Sequence, residues 1–292
     1  MQRRSFLFYA ALFVAGCSAG KVSDNASKTE IIPAKIRLAI TDAINAELLA
    51  QYEPFRQELA RLVGSEVEFF PVESYTAAAI ALQKSDVDIA LTGPAEYVAI
   101  RSRTNAVPIV ALSRPNYYSV IIKTAENSEV KSLTDLKTKT ISMGSVGSTS
   151  SYLGPTYLLV QAGLNPKTDL KVENLDEAGL EALVAGEVAA WCGSWTDYQA
   201  FLNNQNLTEA DLPILAKSQL LPGDVFVSSS QLDPDAIAQL SEIMLNAEAD
   251  LLSALANVDE GKYQKSNFAP AKDEDYNLIQ EAYEAVGESN FI

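Results

Sequence analysis

The chain contains no histidine. That removes Ser-His-Asp and Cys-His catalysis, His-ligated zinc and the commonest general base near neutral pH. Only two cysteines are present, Cys17 and Cys192, which argues against a thiolate metal site. Basic residues are also scarce: 22 Lys and Arg stand against 38 Asp and Glu, a formal charge of −16. Phosphate contacts along a nucleic acid need a basic face, so nucleic acid is not an expected partner. A small anion stays open, because hydroxyls and backbone N–H groups hold one without net positive charge. No cofactor or metal is expected. The apolar run Phe6–Ala15 is too short to span a bilayer.

What is present suits a globular protein. The 292 residues are 48% hydrophobic and 21% charged, enough for two medium domains with real cores. The first 17 residues read as an export signal: basic Arg3-Arg4, an apolar core, then small residues up to Cys17. Arg3-Arg4-Ser5-Phe6-Leu7 is similar to a twin-arginine motif, and Val14-Ala15-Gly16-Cys17 is similar to a bacterial lipobox. In a lipobox the cysteine is lipidated and becomes the mature N-terminus, anchored to a membrane surface while the domain stays soluble. The alternative is an incidental thiol in a cleaved peptide. Residues 18–33 form a polar tether. Cys192, in the apolar run Val188–Cys192, reads as a buried inert thiol.

Strand and helix signals alternate from residue 36. Ile36–Ile40, Glu66–Phe70 and Val87–Leu91 read as strands. Leu48, Tyr52, Phe55, Leu59 and Leu62 recur at helical spacing, and Tyr75–Gln83 reads as an alanine-rich helix. This order implies a parallel sheet with covering helices. Shifted by 101 residues, the pattern returns: Ile40 meets Ile141, Pro54 meets Pro155, Val87 meets Val188 and Tyr97 meets Tyr198, while the acids Asp86 and Glu96 meet Glu187 and Asp197. Alanine matches add little, so chance competes, but the register holds without a gap. The expectation is an α/β protein of two related lobes. Lobe 1 takes 34–112 plus about 225–292 and lobe 2 takes 118–215, with crossings near 107–123 and 212–228. Two linkers and a central cleft describe a closing clamp.

Within the second copy lies Gly144-Ser145-Val146-Gly147-Ser148-Thr149-Ser150-Ser151-Tyr152, between a strand-like and a helix-like run. Hydroxyls beside free helix N–H groups can surround an oxyanion. The same residues also suit an ordinary Ser/Thr N-cap. Tyr75 fits either a half-buried surface or a cleft, and Trp191 and Trp195 either core packing or a pocket floor. Asp197 reads as a solvated helix acid or as a partner for an amino group.

Tyr75-Thr76-Ala77, Val87-Asp88-Ile89-Ala90 with Gly93-Pro94-Ala95-Glu96-Tyr97, the Gly147–Tyr152 run, and Asp176-Glu177-Ala178 with Gly186-Glu187-Val188 together resemble the phosphate/phosphite/phosphonate-binding proteins of ABC importers. These are type II periplasmic binding proteins, and the resemblance covers about 34–257. It implies that Ser148, Thr149 and Ser150 hold phosphoryl oxygens and that Tyr75 donates from the opposite lobe. It also implies that Thr92 and Gly93 face the ligand and that Tyr117 and Tyr118 wall the pocket. One departure stands out: members of the family commonly carry a histidine where this chain has Asp176. Asp176 either accepts the proton of a P–OH group or only caps its helix. The function implied is a periplasmic, lipid-anchored and monomeric binding component that delivers a small oxyanion to an ABC permease in the inner membrane. Alternatives are a binding protein for a sulfonate or amino acid, a sensor subunit, and a cell-envelope phosphatase using Ser148 or Thr149. The missing histidine and the lack of a dense carboxylate cluster argue against an enzyme.

Overall fold

A computed structural model describes residues 31–287 except Ile44 and residues 73–76, with the side chains of Glu177 and Glu260 also left aside. The first lobe begins with β1 (Lys35–Ile40), α1 (Ala46–Gln51), α2 (Glu53–Val63), β2 (Glu66–Phe69), α3 (Ala77–Gln83), β3 (Ile89–Thr92), α4 (Pro94–Thr104) and β4 (Val107–Leu112). The chain then crosses to β5 (Ser119–Ile122) and builds a second lobe. That lobe holds β6 (Thr140–Met143), α5 (Gly154–Gln161), α6 (Pro166–Asp169), β7 (Lys171–Asn174), α7 (Gly179–Val184), β8 (Ala190–Ser194), α8 (Trp195–Gln205) and β9 (Ile214–Lys217). It returns through β10 (Asp224–Ser228) to α9 (Pro234–Asn246), α10 (Glu248–Ala254), β11 (Phe268–Pro270) and α11 (Asn277–Val286).

The strand order is β11-β4-β10-β3-β1-β2 in one sheet and β7-β6-β8-β5-β9 in the other. β1 is parallel to β2 and β3, and β6 is parallel to β7 and β8. Each sheet then receives an antiparallel strand from a crossing: β10 lies beside β3, and β5 beside β8. The strand order β2-β1-β3-β10-β4 therefore matches β7-β6-β8-β5-β9 place for place. The two-sheet α/β architecture expected from the alternating signals is the one observed. The offset of 101 also survives at residue level. Helices α4 and α8 begin and end 101 residues apart, and their left-handed C-caps, Asn105 (φ 52°) and Asn206 (φ 55°), do so too. Asparagine tolerates that backbone region because its short polar side chain bonds locally.

Apolar side chains at helical spacing cover the sheets. Phe55 and Leu59 of α2 and Ala236, Leu240 and Met244 of α9 are buried over the first sheet, where Phe55 stacks on Phe226 with centroids 5.4 Å apart. Cys192 is buried in the second core, and burial pushes its thiol up, out of reactive range. Trp191 is also core, 4% exposed. From its place in the chain, segment 274–287 is expected on the first lobe alone. Instead α11 buries Ile279, Ala282 and Tyr283 in a cluster with Ala95, Tyr117, Leu153 and Leu221, so it packs across both lobes. Its apolar face needs side chains from both sides to be covered.

A buried ionic cluster ties the crossings to the C-terminal segment. Asp224, 2% exposed, starts β10 and accepts a hydrogen bond from the Tyr263 hydroxyl at 2.7 Å. It pairs with Lys262 at 3.4 Å and with Arg114, on the first crossing, at 3.4 Å. Lys262 also pairs with Asp42, which accepts from Tyr52 at 3.2 Å. Burial alone would raise the Asp224 carboxyl, but Lys262 and Arg114 hold it below the usual range. Removing one member leaves buried charge without compensation. Asp224→Ala is expected to destabilise the fold by on the order of 3–5 kcal/mol, read from urea unfolding followed by circular dichroism.

Candidate ligand site

In open parallel sheets ligands bind beyond the carboxyl ends of the strands. At those ends lie Thr41 and Asp42 after β1, Thr92 and Gly93 after β3, Gly144 and Ser145 after β6, and Leu175 and Asp176 after β7. The loop after β6 is compact. A Cβ on Gly144 would fall 2.3 Å from Ser151 Oγ, so only glycine fits that close approach. Gly144 N–H donates to the Ser151 carbonyl at 3.0 Å, and Ser148 N–H to the Ser145 carbonyl at 3.1 Å. Ser148 caps a π turn over Thr149–Leu153, accepting from Ser151 N–H at 3.4 Å and sharing a 2.6 Å hydroxyl contact with Ser151. Thr149 and Ser150 are buried, 3% and 7% exposed. The hydroxyl-rich stretch is thus both a cap and a wall of the cleft: Ser148 does the capping, and Thr149 faces the other lobe.

That other lobe presents the N-terminus of α4. Gly93 is its N-cap and supplies no side-chain bond, whereas the matching residue Ser194 caps α8 by accepting from Asp197 N–H at 3.0 Å. The open N-terminus is met from across the cleft: Ala95 N–H donates to Thr149 Oγ1 at 2.9 Å. A helix N-terminus carries partial positive charge, which favours an anion. Beside it Tyr117 is 3% exposed, and its ring lies 3.7 Å beneath the Arg114 guanidinium. Burial raises the Tyr117 phenol, while Arg114 and a hydrogen bond with Ser150 act against that rise.

The structure sorts the candidate residues. Ser148, Thr149, Ser150 and Gly93 come together. Thr92 lies next to them, but its hydroxyl donates to the Val225 carbonyl within the sheet at 3.3 Å. Tyr118 is half-buried and its ring takes Lys217 Nζ at 4.0 Å; Trp195 takes the same ammonium at 3.6 Å. Asp197 is exposed. Tyr75 and Cys17 lie outside the described residues. Asp176 does not cap a helix: the short 3-10 turn it opens has Leu175 as N-cap and no side-chain bond. Its backbone is left-handed (φ 43°), and its carboxylate accepts from Ser145 N–H at 2.7 Å and Ser145 Oγ at 2.8 Å. It holds the start of the Gly144–Ser151 loop.

Glu96 is the residue that pattern reading passed over. In the sequence it is the repeat partner of Asp197 and part of the Gly93–Tyr97 motif with no role of its own, but here it is 4% exposed at the first turn of α4. Burial pushes its carboxyl up to about 8, with its own N–H acting against that rise. Its Gly-Pro context at a helix start was the available signal.

Residues 39–276 match the family described as ABC transporter, phosphonate, periplasmic substrate-binding protein. The chain belongs to this family. It is 24% identical over 311 residues to the phosphate-import protein PhnD of Mycolicibacterium smegmatis, covering 95% of this chain and 93% of that one. It is 25% identical over 209 residues to the phosphonates-binding periplasmic protein of Escherichia coli, covering 68% and 62%. Its fold is similar to that of PhnD1 from Prochlorococcus marinus, solved with methylphosphonate: TM-score 0.71, 22% identity, covering 88% of this chain and 99% of that one. The type II periplasmic-binding-protein fold follows, and so does membership among binding proteins rather than enzymes.

The raised Glu96 carboxyl has a consequence for stability. An unfolded chain releases that proton near pH 4.5, while the folded protein keeps it to about pH 8. Its contribution to stability is therefore lost as pH rises between those values. Glu96→Gln removes the effect. Relative to wild type the variant is expected to gain on the order of a few kcal/mol in going from pH 5 to pH 8, read from chemical unfolding at both pH values.

Proposed function

We propose that this chain is the lipid-anchored substrate-binding component of an ABC importer, and that it captures a small phosphorus oxyanion between its lobes. The observation that carries the reading is the 2.9 Å bond from Ala95 N–H to Thr149 Oγ1. It sets the positive end of α4 against the Ser148-Thr149-Ser150 hydroxyls, a seat with little net charge. The names of the relatives support phosphate, phosphonate and methylphosphonate as the ligand class. Asp176 acts on this seat by fixing Ser145 and the loop behind it. Cys17 is the proposed lipid attachment point, and a permease in the inner membrane the proposed partner.

Calorimetric titration with phosphate, phosphite, methylphosphonate and sulfate tests the ligand class. One phosphorus anion is expected to bind at least about tenfold tighter than sulfate, since buried charge-assisted hydrogen bonds each discriminate by more than about 1 kcal/mol. Preferential binding of sulfate, or of a sulfonate or amino acid titrated alongside, overturns the reading. Thr149→Val is expected to weaken binding of that anion by about tenfold, one hydrogen bond's worth. Cys17→Ala is expected to move the protein from the membrane fraction to the soluble periplasmic fraction on immunoblots.

A further inference from the structure

The N-terminus of α4 holds a buried carboxyl with one oxygen left unpaired: among the described residues, Glu96 Oε2 has no hydrogen-bond partner, and the residue is 4% exposed. A Cβ on Gly93 would sit 2.5 Å from that oxygen, so the carboxyl folds back over the N-cap. The other oxygen, Oε1, lies 3.5 Å from Thr41 Oγ1, at the end of β1. One residue before Glu96, Ala95 N–H reaches Thr149 of the opposite lobe. The unsatisfied oxygen is thus at the same helix start as the proposed anion seat. Buried polar groups in folded proteins nearly always have partners, and an exception beside the proposed anion seat points to a ligand.

We propose that Glu96 is a ligand-contacting residue: as a neutral carboxylic acid it donates a hydrogen bond from Oε2 to an oxygen of the bound oxyanion. The inference rests on the anion-binding reading above and adds a residue and a pH response to it. Glu96 is surrounded by charge of both signs. Asp42 follows β1, Asp224 starts β10, Lys262 comes from the C-terminal segment, and Tyr117 with Arg114 comes from the first crossing. Lys262 and Arg114 are already engaged by Asp42 and Asp224. Neither is therefore free to pair with Glu96. Burial keeps the proton on up to about pH 8. A carboxylic acid at that place adds a donor without repelling an anion; a carboxylate there would repel it. Proton release from Glu96 and anion binding then oppose each other, so the site loses its ligand in alkaline solution.

The test compares wild type with Glu96→Gln, which keeps a donor but cannot ionise. Both are titrated from pH 6.5 to 9.5 with the tightest binder among phosphite, phosphate and methylphosphonate. The ligand's own ionisation is common to both proteins and drops out of the comparison. The ratio of wild-type to Glu96→Gln Kd is expected to rise by up to about tenfold per pH unit above about pH 8. A second measurement needs no variant. Calorimetry of wild type at pH 9 in buffers of different ionisation enthalpy is expected to show net proton uptake on binding. Parallel profiles together with zero proton uptake overturn this inference and leave the binding function standing. Failure of wild type to bind any of the three anions at pH 6.5 overturns both.

Discussion

The buried carboxylate of Asp224 sets a condition that much of the molecule meets. A charge so deeply buried persists only when opposite charge and hydrogen bonds replace the water it has lost. The replacements come from distant parts of the chain: Arg114 on the first crossing, and Lys262 and Tyr263 beyond α10. Asp224 itself marks the point where the second crossing rejoins the first sheet. One neutralised cluster thereby fixes where both linkers leave lobe 1 and where the C-terminal segment returns.

That cluster also decides how an anion must be held. With a formal charge of −16 the protein's overall field repels anions. Lys262 and Arg114 are engaged by aspartates. On the proposed reading what remains is short-range: the positive end of a helix, hydroxyls from the facing lobe, and a carboxyl buried deeply enough to keep its proton. Donors of this kind select by geometry and by the protonation state of the ligand rather than by charge alone.

Much of this frame is legible in the linear sequence, because it rests on local rules. Alternating strand and helix signals give the two sheets, and a gapless offset of 101 residues matches helices α4 and α8 end for end. The Gly144–Tyr152 stretch declares itself through glycine and hydroxyl chemistry. Other features depend on partners far away in the chain. Glu96 and Asp197 are equivalent in the repeat, yet one is buried and the other exposed, a difference set by what packs around each helix start. Asp176 has the composition of a helix cap but bonds to Ser145, 31 residues earlier. Helix α11 shows an amphipathic face without showing that two lobes share it. Arg114, Asp224 and Lys262 are ordinary charges until folding removes their water.

The pair Gly93 and Ser194 carries the difference between the two halves. Ser194 completes its helix with its own hydroxyl. Gly93 leaves the matching helix incomplete, and a side chain there would collide with Glu96. Thr149 of the other lobe supplies the missing acceptor, so this helix is completed only when the two halves stand together.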